Sequence, residues 1–465
     1  MEPVSSPVRF YRRITGALAD ENLQRALAAT RDKFTSHRAS AIDKYCAQGG
    51  DFEQLREWGK QRREEAVCRM PELLREFEHN ARAAGATVLW AKDAAAARRL
   101  ITEIVHRHDA KLAVKSKSMA SEEISLNNAL LAAGVEAVET DLGEFIVQQS
   151  GETPSHIIAP AMHKSRQQAA EIIKKTSACD GDDIPALTRA ARAHLREKFL
   201  RADVGISGAN FLIAETGSSL IVTNEGNGRM SMTLPPVHIT IAGIDKIIPK
   251  WEDIPGLLKL LTVSATGQRL SNYVSILTGG GTSATPAHTY IVLLDNGRAA
   301  LRHGDCREML RCIRCGACMN HCPVYHAIGG HAYDATYMGP MGQVLAPSLN
   351  KTDSELPHAA TMCGACAVVC PVKIPLPDLM RRLRRRHVEK RPMKERMFLR
   401  LWFFVARRPR LYAMTTSAAA AVLAFIGGQG KIIHRLPFMR GWFAERDLSA
   451  PCGHTFRAMQ KRARQ

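Results

Sequence analysis

The 465-residue sequence lacks the motifs of several large enzyme classes. It has no G-x-x-x-x-G-K-[ST] loop for binding nucleotide phosphates, because the near match at 427–431 has the wrong spacing and no Ser or Thr after the lysine. No G-x-G-x-x-G follows a predicted strand, so a dinucleotide-binding fold is not indicated. These absences argue against chemistry that depends on a bound nucleotide.

The N-terminal sequence MEPVSSPVRFYRR has no apolar segment of the kind that a secretory signal peptide requires. We therefore expect a cytoplasmic protein, in which clustered cysteines indicate metal ligands and not a disulfide framework. A mean hydropathy of −0.17, with 45% hydrophobic residues, excludes a disordered chain and a polytopic membrane protein.

Acidic residues are scarce in one part of the chain only. Residues 373–465 hold 22 Lys and Arg against 5 Asp and Glu, whereas the first 372 residues hold 42 and 40. A uniformly basic protein that coats nucleic acid is therefore excluded as the simple interpretation. Five arginines between Arg381 and Arg386 repel one another, which predicts an acidic partner subunit or anionic lipid headgroups. Nucleic acid is disfavoured, because no aromatic platform or groove-reading motif accompanies the charge.

The uncharged stretch Leu411–Gly430 is 20 residues long, which is nominally enough to span a membrane. Its alanine, threonine and glycine content and the basic residues at both ends argue against a transmembrane helix. We expect a helix that docks on a partner or lies at a membrane surface. Peripheral contact with the inner face of the membrane is therefore an alternative to a purely cytoplasmic location.

The twelve cysteines are unevenly placed, and eight of them lie between Cys306 and Cys370. They include two runs, C-x2-C-x2-C-x3-C-P at 312–323 and C-x2-C-x3-C-P at 363–371. The first run matches the bacterial ferredoxin pattern at every position. A zinc ribbon uses two C-x2-C pairs but has neither the third cysteine nor the fourth before proline.

The spacing divides these cysteines between two clusters. Two-residue gaps let a tight loop place thiolates at three corners of one cubane, and the fourth cysteine reaches the other cluster. Each following proline lacks an N–H and fixes φ, which turns the chain away. The predicted ligands are Cys312, Cys315, Cys318 and Cys370 for a first [4Fe-4S] cluster, and Cys322, Cys363 and Cys366 for a second cluster. No catalytic residue is predicted.

The second run departs from the pattern, since its expected first cysteine falls at Ala360. The second cluster is therefore either [3Fe-4S], or [4Fe-4S] with water, a substrate group or a non-cysteine ligand on the fourth iron. Cys306 is the nearest spare thiol, although it fits a small apolar residue in a helix better. The nearby histidines are predicted to be loop or surface residues: His321, His326, His331 and His358.

Hydrophobic patterning predicts four segments: helices over 1–70, an α/β domain over 71–300, a ferredoxin-type module over 301–386 and a basic extension over 387–465. In the α/β domain, short apolar runs alternate with helical patterns over Asp93–His106 and Met119–Ala133, which indicates a largely parallel sheet. The predicted strands are Thr87–Ala91, Leu112–Lys115, Val135–Thr140, Ile157–Ala159, Leu220–Thr223, His238–Ile241 and Tyr290–Asp295. The long link between the cysteine runs is expected to pack on a neighbour or a partner.

Four polar loops in the α/β domain lie beside predicted strands or helix starts, where anions bind in open α/β sheets. Lys115, Lys117 and Arg229 in these loops would pair with a carboxylate or phosphate. The alternative is that the glycines turn the chain and the charges are solvated. The loops are Lys115–Met119, Glu215–Ser219, Asn224–Arg229 and Gly279–Ser283.

The segments CIRCGACMNHCP, MCGACAVVCPVKIPL, KSKSMASEEI, TDLGEFIVQ and AETGSSLIVTNEGNGRM closely resemble the lactate utilization protein B family. The resemblance also includes ALADENLQRAL near the N-terminus and the basic tail, so it extends over nearly the whole chain. It implies a LUD domain, similar in fold to the ribose-isomerase and CoA-transferase α/β group. An α-helical two-cluster ferredoxin module and a helical basic extension would follow it.

The same resemblance implies one subunit of a three-protein, NAD-independent system that oxidises L-lactate to pyruvate. The implied partners are an iron–sulfur protein with a CCG motif and a second LUD protein. The family's ligand positions fall on the seven cysteines assigned above, so the alanine at 360 is implied to be a family trait.

This chain has no adjacent cysteines and therefore no CCG motif. We accordingly expect an electron-transfer component and not the substrate-converting subunit. Two alternatives remain. One is an electron relay for another hydroxy acid or a thiol/disulfide substrate. The other is a redox-sensing scaffold with a labile second cluster, which the lack of a DNA-reading element disfavours.

Overall fold

A computed structural model describes residues 7–179, 181–282, 286–350, 355–389, 393–428, 431–437, 443 and 446–463. The chain divides into two compact units, residues 1–384 and 385–465. The four-part division by sequence stays a prediction.

Helices dominate the first unit, and aspartates begin several of them. The Asp20 carboxylate accepts the N–H groups of Asn22 and Leu23, both at 3.0 Å, and Asp93 caps its helix in the same way. The helices are α1 (Pro7–Ala19), α2 (Glu21–Ala47), α3 (Phe52–Cys68), α4 (Met70–Ala83), α5 (Ala94–Arg107), α6 (Met119–Glu123), α7 (Leu126–Ala132), α8 (Leu142–Gln149), α9 (Arg166–Thr176), α10 (Ile184–Arg201), α11 (Asn227–Thr233), α12 (Ile254–Thr266), α13 (Arg298–Arg302), α14 (Ala317–Asn320), α15 (Pro323–Ile328), α16 (Gly339–Asn350), α17 (Ala365–Val368) and α18 (Leu376–Glu389), the last of which ends in the second unit.

Two sheets form the α/β part of the first unit. The larger has six strands in the order β1-β10-β7-β4-β2-β3, and every described pairing in it is parallel. The smaller has the order β8-β5-β6-β9. The strands are β1 (Thr87–Ala91), β2 (Leu112–Lys115), β3 (Glu136–Glu139), β4 (Val204–Ser207), β5 (Phe211–Ile213), β6 (Ser218–Thr223), β7 (Val237–Gly243), β8 (Ile247–Ile248), β9 (Tyr273–Thr278) and β10 (His288–Leu294). The predicted parallel α/β core is therefore confirmed.

Two local predictions were wrong. Ile157–Ala159 is not a strand, because the His156 ring accepts the N–H groups of Ile158 (3.0 Å) and Ala159 (3.1 Å) that a strand would offer to a neighbour. The helix predicted over Met119–Ala133 is two short helices, α6 and α7, because Ser125 between them adopts a positive φ of 52°.

One continuous core joins the cysteine runs to the α/β part. Phe211 and Leu260 belong to the same buried cluster as Cys315 and Cys370. The link between the two cysteine runs is packed into this core, as the sequence predicted. Its Tyr325 is fully buried, and the hydroxyl donates to the Ser155 carbonyl at 2.7 Å.

The second unit contains α19 (Met393–Ala406), α20 (Pro409–Gly427), α21 (Phe456–Ala463) and an antiparallel pair, β11 (Ile432–Ile433) with β12 (Leu448–Ser449). Helix α20 is long and apolar enough in composition to cross a membrane, which is weak evidence by itself. Large apolar side chains on α19 and α20 are exposed, among them Phe398, Trp402 and Phe425.

Candidate functional site

Four of the predicted ligands line a single buried cavity, namely Cys312, Cys315, Cys318 and Cys370. The first three come from the loop before α14 and from α14 itself, and Cys370 enters from the second run, beyond α17. Apolar neighbours such as Ile157, Ile313 and Met341 complete the wall. Three thiols from one run and one from the other therefore meet at one place.

Backbone N–H groups point at these sulfurs. The N–H of Arg314 donates to Cys312 Sγ at 3.4 Å, and the N–H of Ile374 donates to Cys370 Sγ at 3.3 Å. Burial raises the pKa of the Cys370 thiol to about 11. Such thiols lose their protons when iron binds, and N–H donors to sulfur are a recognised influence on cluster potential. The four-thiol donor set therefore fits a [4Fe-4S] cluster.

A second cavity is lined by the other three predicted ligands, Cys322, Cys363 and Cys366. Cys322 also caps α15, since its sulfur accepts the N–H of Tyr325 at 3.4 Å. The two cavities lie next to each other, because α14 packs against α17. Burial raises the pKa of the Cys318 thiol at the first cavity, and Cys366 at the second is near enough to raise it further. Cys363 is exposed, so this second donor set lies nearer to solvent than the first.

The two cysteine runs repeat one backbone conformation. Each contains the sequence C-G-A-C, at 315–318 and 363–366, with a left-handed glycine at Gly316 (φ 75°) and Gly364 (φ 85°). The residue before each C-G-A-C is also left-handed, with φ 59° at Arg314 and φ 60° at Met362. By this repeat Ala360 corresponds to Cys312, and Ala360 lines the second cavity. The methyl group of Ala360 thus occupies the place of a fourth thiolate.

Another donor lines the second cavity. Gln343 on α16 is fully buried and its amide nitrogen donates to the Ala359 carbonyl, but its oxygen has no hydrogen-bond partner among the described residues. An unpartnered buried amide oxygen is costly, and it could accept a hydrogen bond from water or ligate iron. No local motif in the sequence marks Gln343 as a candidate ligand.

The remaining candidates do not line either cysteine cavity. Cys306 is buried at the start of the turn Arg307–Arg311. Imidazole nitrogens of three histidines instead donate to backbone carbonyls: His321 to Ala317, His326 to Asn320 and His331 to Thr153. None of the twelve cysteines, all of them described, forms a disulfide.

The N-terminal helices hold the second cysteine run in place. The Arg56 guanidinium on α3 donates to the carbonyls of Cys370 (2.9 Å) and Val368 (2.7 Å). Arg38 on α2 donates to the Val369 carbonyl at 3.2 Å. Positive charge is thereby fixed beside the sulfur ligands, and it favours the anionic form of a bound cluster.

A larger cavity of about 240 Å³ lies in the α/β part. Residues that come just after the carboxyl ends of five parallel strands line this cavity, and this is the edge at which open α/β sheets bind ligands. Lys117 follows β2, Asp141 follows β3, Gly208 follows β4, Lys246 follows β7 and Arg298 follows β10. Ile157 and Arg314 line both this cavity and the four-cysteine cavity, so the two are neighbours.

Charged groups at this cavity form a buried network around Asp245. Its carboxylate accepts from Arg298 Nε at 2.6 Å and from Arg314 Nη2 at 3.1 Å. Arg298 also makes two hydrogen bonds to Glu123, at 2.6 and 2.9 Å. Burial opposes ionisation of Asp245, but the surrounding cations outweigh it and hold the pKa of the carboxyl well below its usual range. Burial and the neighbouring Arg314 lower the pKa of Lys246 to about 7.

Two of the four predicted anion-binding loops contribute to this cavity, through Lys117 and through Asn224, Glu225 and Asn227. Lys115 does not: it is fully buried and pairs with Glu139 at 2.5 Å. Arg229 and the loop around Gly217 do not line it either. Of the loop at 279–283, Gly279 packs on Ala84, and residue 283 lies outside the described residues. The sequence did not mark Lys246, Arg298 and Arg314, because the fold brings them together from distant segments.

Comparison with known proteins agrees with this architecture. The LUD domain family model matches residues 74–292, and the 4Fe-4S dicluster domain model matches residues 308–374. Lactate utilization protein B of Lysinibacillus sphaericus is 39% identical, with 97% of this chain and 96% of the relative covered. The chain belongs to the lactate utilization protein B family. Another member, from Bacillus licheniformis, is 38% identical over 97% of this chain and 95% of its own length.

Membership of the lactate utilization protein B family gives the chain a role in lactate utilization and iron–sulfur clusters of the dicluster type. Among solved structures, a DUF162 family protein from Deinococcus radiodurans matches with a TM-score of 0.29 and 14% identity. That match covers 48% of this chain and 98% of the other.

Proposed function

We propose that this protein is the iron–sulfur electron-transfer subunit of an NAD-independent system that oxidises L-lactate to pyruvate. The main support is the sorting of seven cysteines into two adjoining cavities, four around the first and three around the second. Bound clusters would supply one-electron redox chemistry. The chain itself supplies the thiolates, N–H donors to sulfur and buried cations.

We assign Cys312, Cys315, Cys318 and Cys370 to a [4Fe-4S] cluster, and Cys322, Cys363 and Cys366 to a second cluster. The second is proposed to be [4Fe-4S] with a non-cysteine group at the fourth iron, and [3Fe-4S] once that iron is lost. Ala360 supports this proposal, because it stands where the repeat requires a thiolate.

The two sites differ in exposure, which suggests a direction for electron flow. In the first donor set three thiols are buried and Cys312 is half-buried, and the set neighbours the α/β cavity. In the second set Cys363 is exposed. We propose that electrons enter at the first site and leave from the second towards an acceptor. Adjoining cavities suit this relay, since transfer requires the two centres to be close.

EPR spectroscopy of the anaerobically reconstituted protein tests the proposal. With a CCG-motif iron–sulfur protein and a second LUD protein present, L-lactate should reduce the clusters, whereas D-lactate serves as the stereochemical control. Clusters that assemble but stay oxidised in the complete system would refute the electron-transfer role. Protein that holds no iron would refute the cluster assignment as well.

The basic extension is proposed to dock the protein against these two partner proteins in the cytoplasm. Its arginines suit an acidic surface, and exposed apolar side chains on α19, such as Phe398 and Trp402, suit burial on a partner. Peripheral binding to an anionic membrane surface is the alternative that the following experiment separates.

A chain that ends at Glu389 keeps α18, whose Leu379 and Met380 are buried, and lacks the rest of the extension. We expect its iron content to stay the same, while co-purification with the partner proteins falls at least about tenfold. Iron analysis and size-exclusion chromatography measure the two effects. A matched full-length variant with Phe398 and Trp402 changed to serine should show the same loss of partner binding. Loss of iron in the truncated chain would mean that the extension belongs to the cluster-bearing fold. If the truncation removes binding to anionic lipid vesicles and leaves partner binding unchanged, the membrane alternative is favoured.

A further inference from the structure

We infer that the 240 Å³ cavity of the α/β part is a binding site for a small monocarboxylate with a short apolar substituent. The inference rests on the proposed function for its biological context, but the binding it describes can be measured on this chain alone. It adds a ligand site to a subunit that otherwise only relays electrons.

The size of the cavity limits the class of ligand. Drug-sized molecules and cofactors occupy pockets of about 300–1,000 Å³. A cavity of about 240 Å³ suits a molecule of a few heavy atoms.

Cationic groups of the cavity can pair with an anion. Four cations line it: Lys117, Lys246, Arg298 and Arg314. Asp245 and Glu123 neutralise two of these charges through Arg298 and Arg314. Lys246 forms no ion pair with any carboxylate in the part of the chain that the structure describes. Burial lowers its pKa to about 7, and a bound carboxylate would favour its charged form. Two further acids, Asp141 and Glu225, line the cavity, and burial and the neighbouring Asp141 raise the pKa of Glu225 to about 7.

Unpartnered polar atoms add hydrogen-bonding capacity. Arg314 Nη1, Thr262 Oγ1 and Asn227 Oδ1 have no partner among the described residues, and all three side chains are at least nine-tenths buried. A carboxylate can accept from the guanidinium, the ammonium and the hydroxyl, while Asn227 Oδ1 can accept from a hydroxyl on the ligand. Buried donors and acceptors left unpaired in this way are destabilising until a ligand or water pairs with them.

The remaining wall is apolar and suits a short alkyl group. Ile158, Ile221, Ile241 and Leu261 contribute aliphatic side chains. A small 2-hydroxy acid combines the three features that the walls recognise: one carboxylate, one hydroxyl that can donate and one short apolar group. Inorganic phosphate lacks the apolar part, and a dicarboxylate would place a second charge against the isoleucines.

Isothermal titration of the anaerobic, cluster-loaded full chain with L-lactate and with pyruvate tests the inference. Saturable binding of L-lactate is expected. Pyruvate, which cannot donate to Asn227 Oδ1, should bind more weakly, and lactamide, which lacks the charge, at least about tenfold more weakly. Because Ile157 and Arg314 separate the cavity from the four-cysteine site, ligand should also shift the EPR spectrum or midpoint potential of the first cluster.

Lys246→Gln should weaken binding of the carboxylates at least about tenfold, and the isosteric Thr262→Val several-fold, with iron content unchanged in both. Lys250→Gln is the matched control, because Lys250 is an exposed lysine four residues away that does not line the cavity. Absence of saturable binding to the loaded wild-type chain, or full affinity in both cavity variants, would overturn the inference. If lactate reduces the clusters in the complete system but does not bind to this cavity, only the binding site is refuted. If lactate binds to the cavity but does not reduce the clusters, only the electron-transfer role is refuted.

Discussion

Cys315→Ala should remove the first cluster and with it lactate-dependent electron transfer. Cys315 is buried in the four-cysteine cavity, where an alanine leaves one corner of the cubane without a ligand. We expect iron to fall by about four atoms per chain and the reduced EPR spectrum to retain only the second centre. Iron analysis of anaerobically purified protein and EPR measure the two effects.

Cys306→Ala is the matched control for this experiment. Cys306 is also buried and lies six residues before Cys312, but it does not line either cysteine cavity. The control should keep its full iron content and its electron transfer. Equal iron loss in the two variants would show that the thiol assignment is wrong, because Cys306 would then act as a ligand.

Ala360→Cys should complete the second set of thiolates. In the repeated backbone, residue 360 corresponds to Cys312, so a cysteine there is expected to reach the fourth iron. Wild-type protein exposed briefly to air should lose that iron and show a three-iron EPR signal. We expect this signal to be about tenfold weaker in the variant, since a fourth thiolate retains the iron.

Ala359→Cys supplies a control, because Ala359 is buried next to Ala360 but does not line the second cavity. It should respond to air as the wild type does. An unchanged three-iron signal in Ala360→Cys would show that a cysteine at residue 360 does not reach the fourth iron. Absence of the signal from air-exposed wild type would show that another group retains that iron, and Gln343, whose buried oxygen has no partner among the described residues, would be the first residue to substitute.

Much of the candidate cluster site could be predicted from the cysteine patterns, because the spacing of the ligands is a local property of the sequence. Cys312 to Cys322 fall within eleven residues, and the chemistry of the cubane restricts how such a loop can wrap. The parallel sheet was also predictable, since β-branched runs alternating with helical patterns restrict the topology. The family resemblance named the LUD domain and lactate utilization from quoted segments, and the comparisons agree with both, whereas the three-protein system stays a proposal.

The α/β cavity could be predicted only in part, because its walls come from segments far apart in the sequence. Lys117 was marked by its polar loop, but Lys246, Arg298 and Arg314 carry no local signal. Lys115 was expected to bind anions and instead pairs with the buried Glu139, a partner 24 residues away. The composition of Ile157–Ala159 predicts a strand. The segment is not a strand, because the N–H groups of Ile158 and Ala159 donate to the His156 ring.

The arginines of the N-terminal helices have a consequence for how the protein matures. Arg38 and Arg56 donate hydrogen bonds to backbone carbonyls more than 300 residues later in the chain. These carbonyls belong to Cys370, the last ligand of the first cluster, and to its neighbour Val369. During translation Arg38 and Arg56 are therefore synthesised more than 300 residues before the carbonyls that they contact. Iron that arrives before Cys370 has been synthesised would meet only three of the four thiols of the first centre. A complete first centre therefore requires the chain at least through Cys370, and a chain that stops before Cys370 lacks the fourth thiolate of that centre.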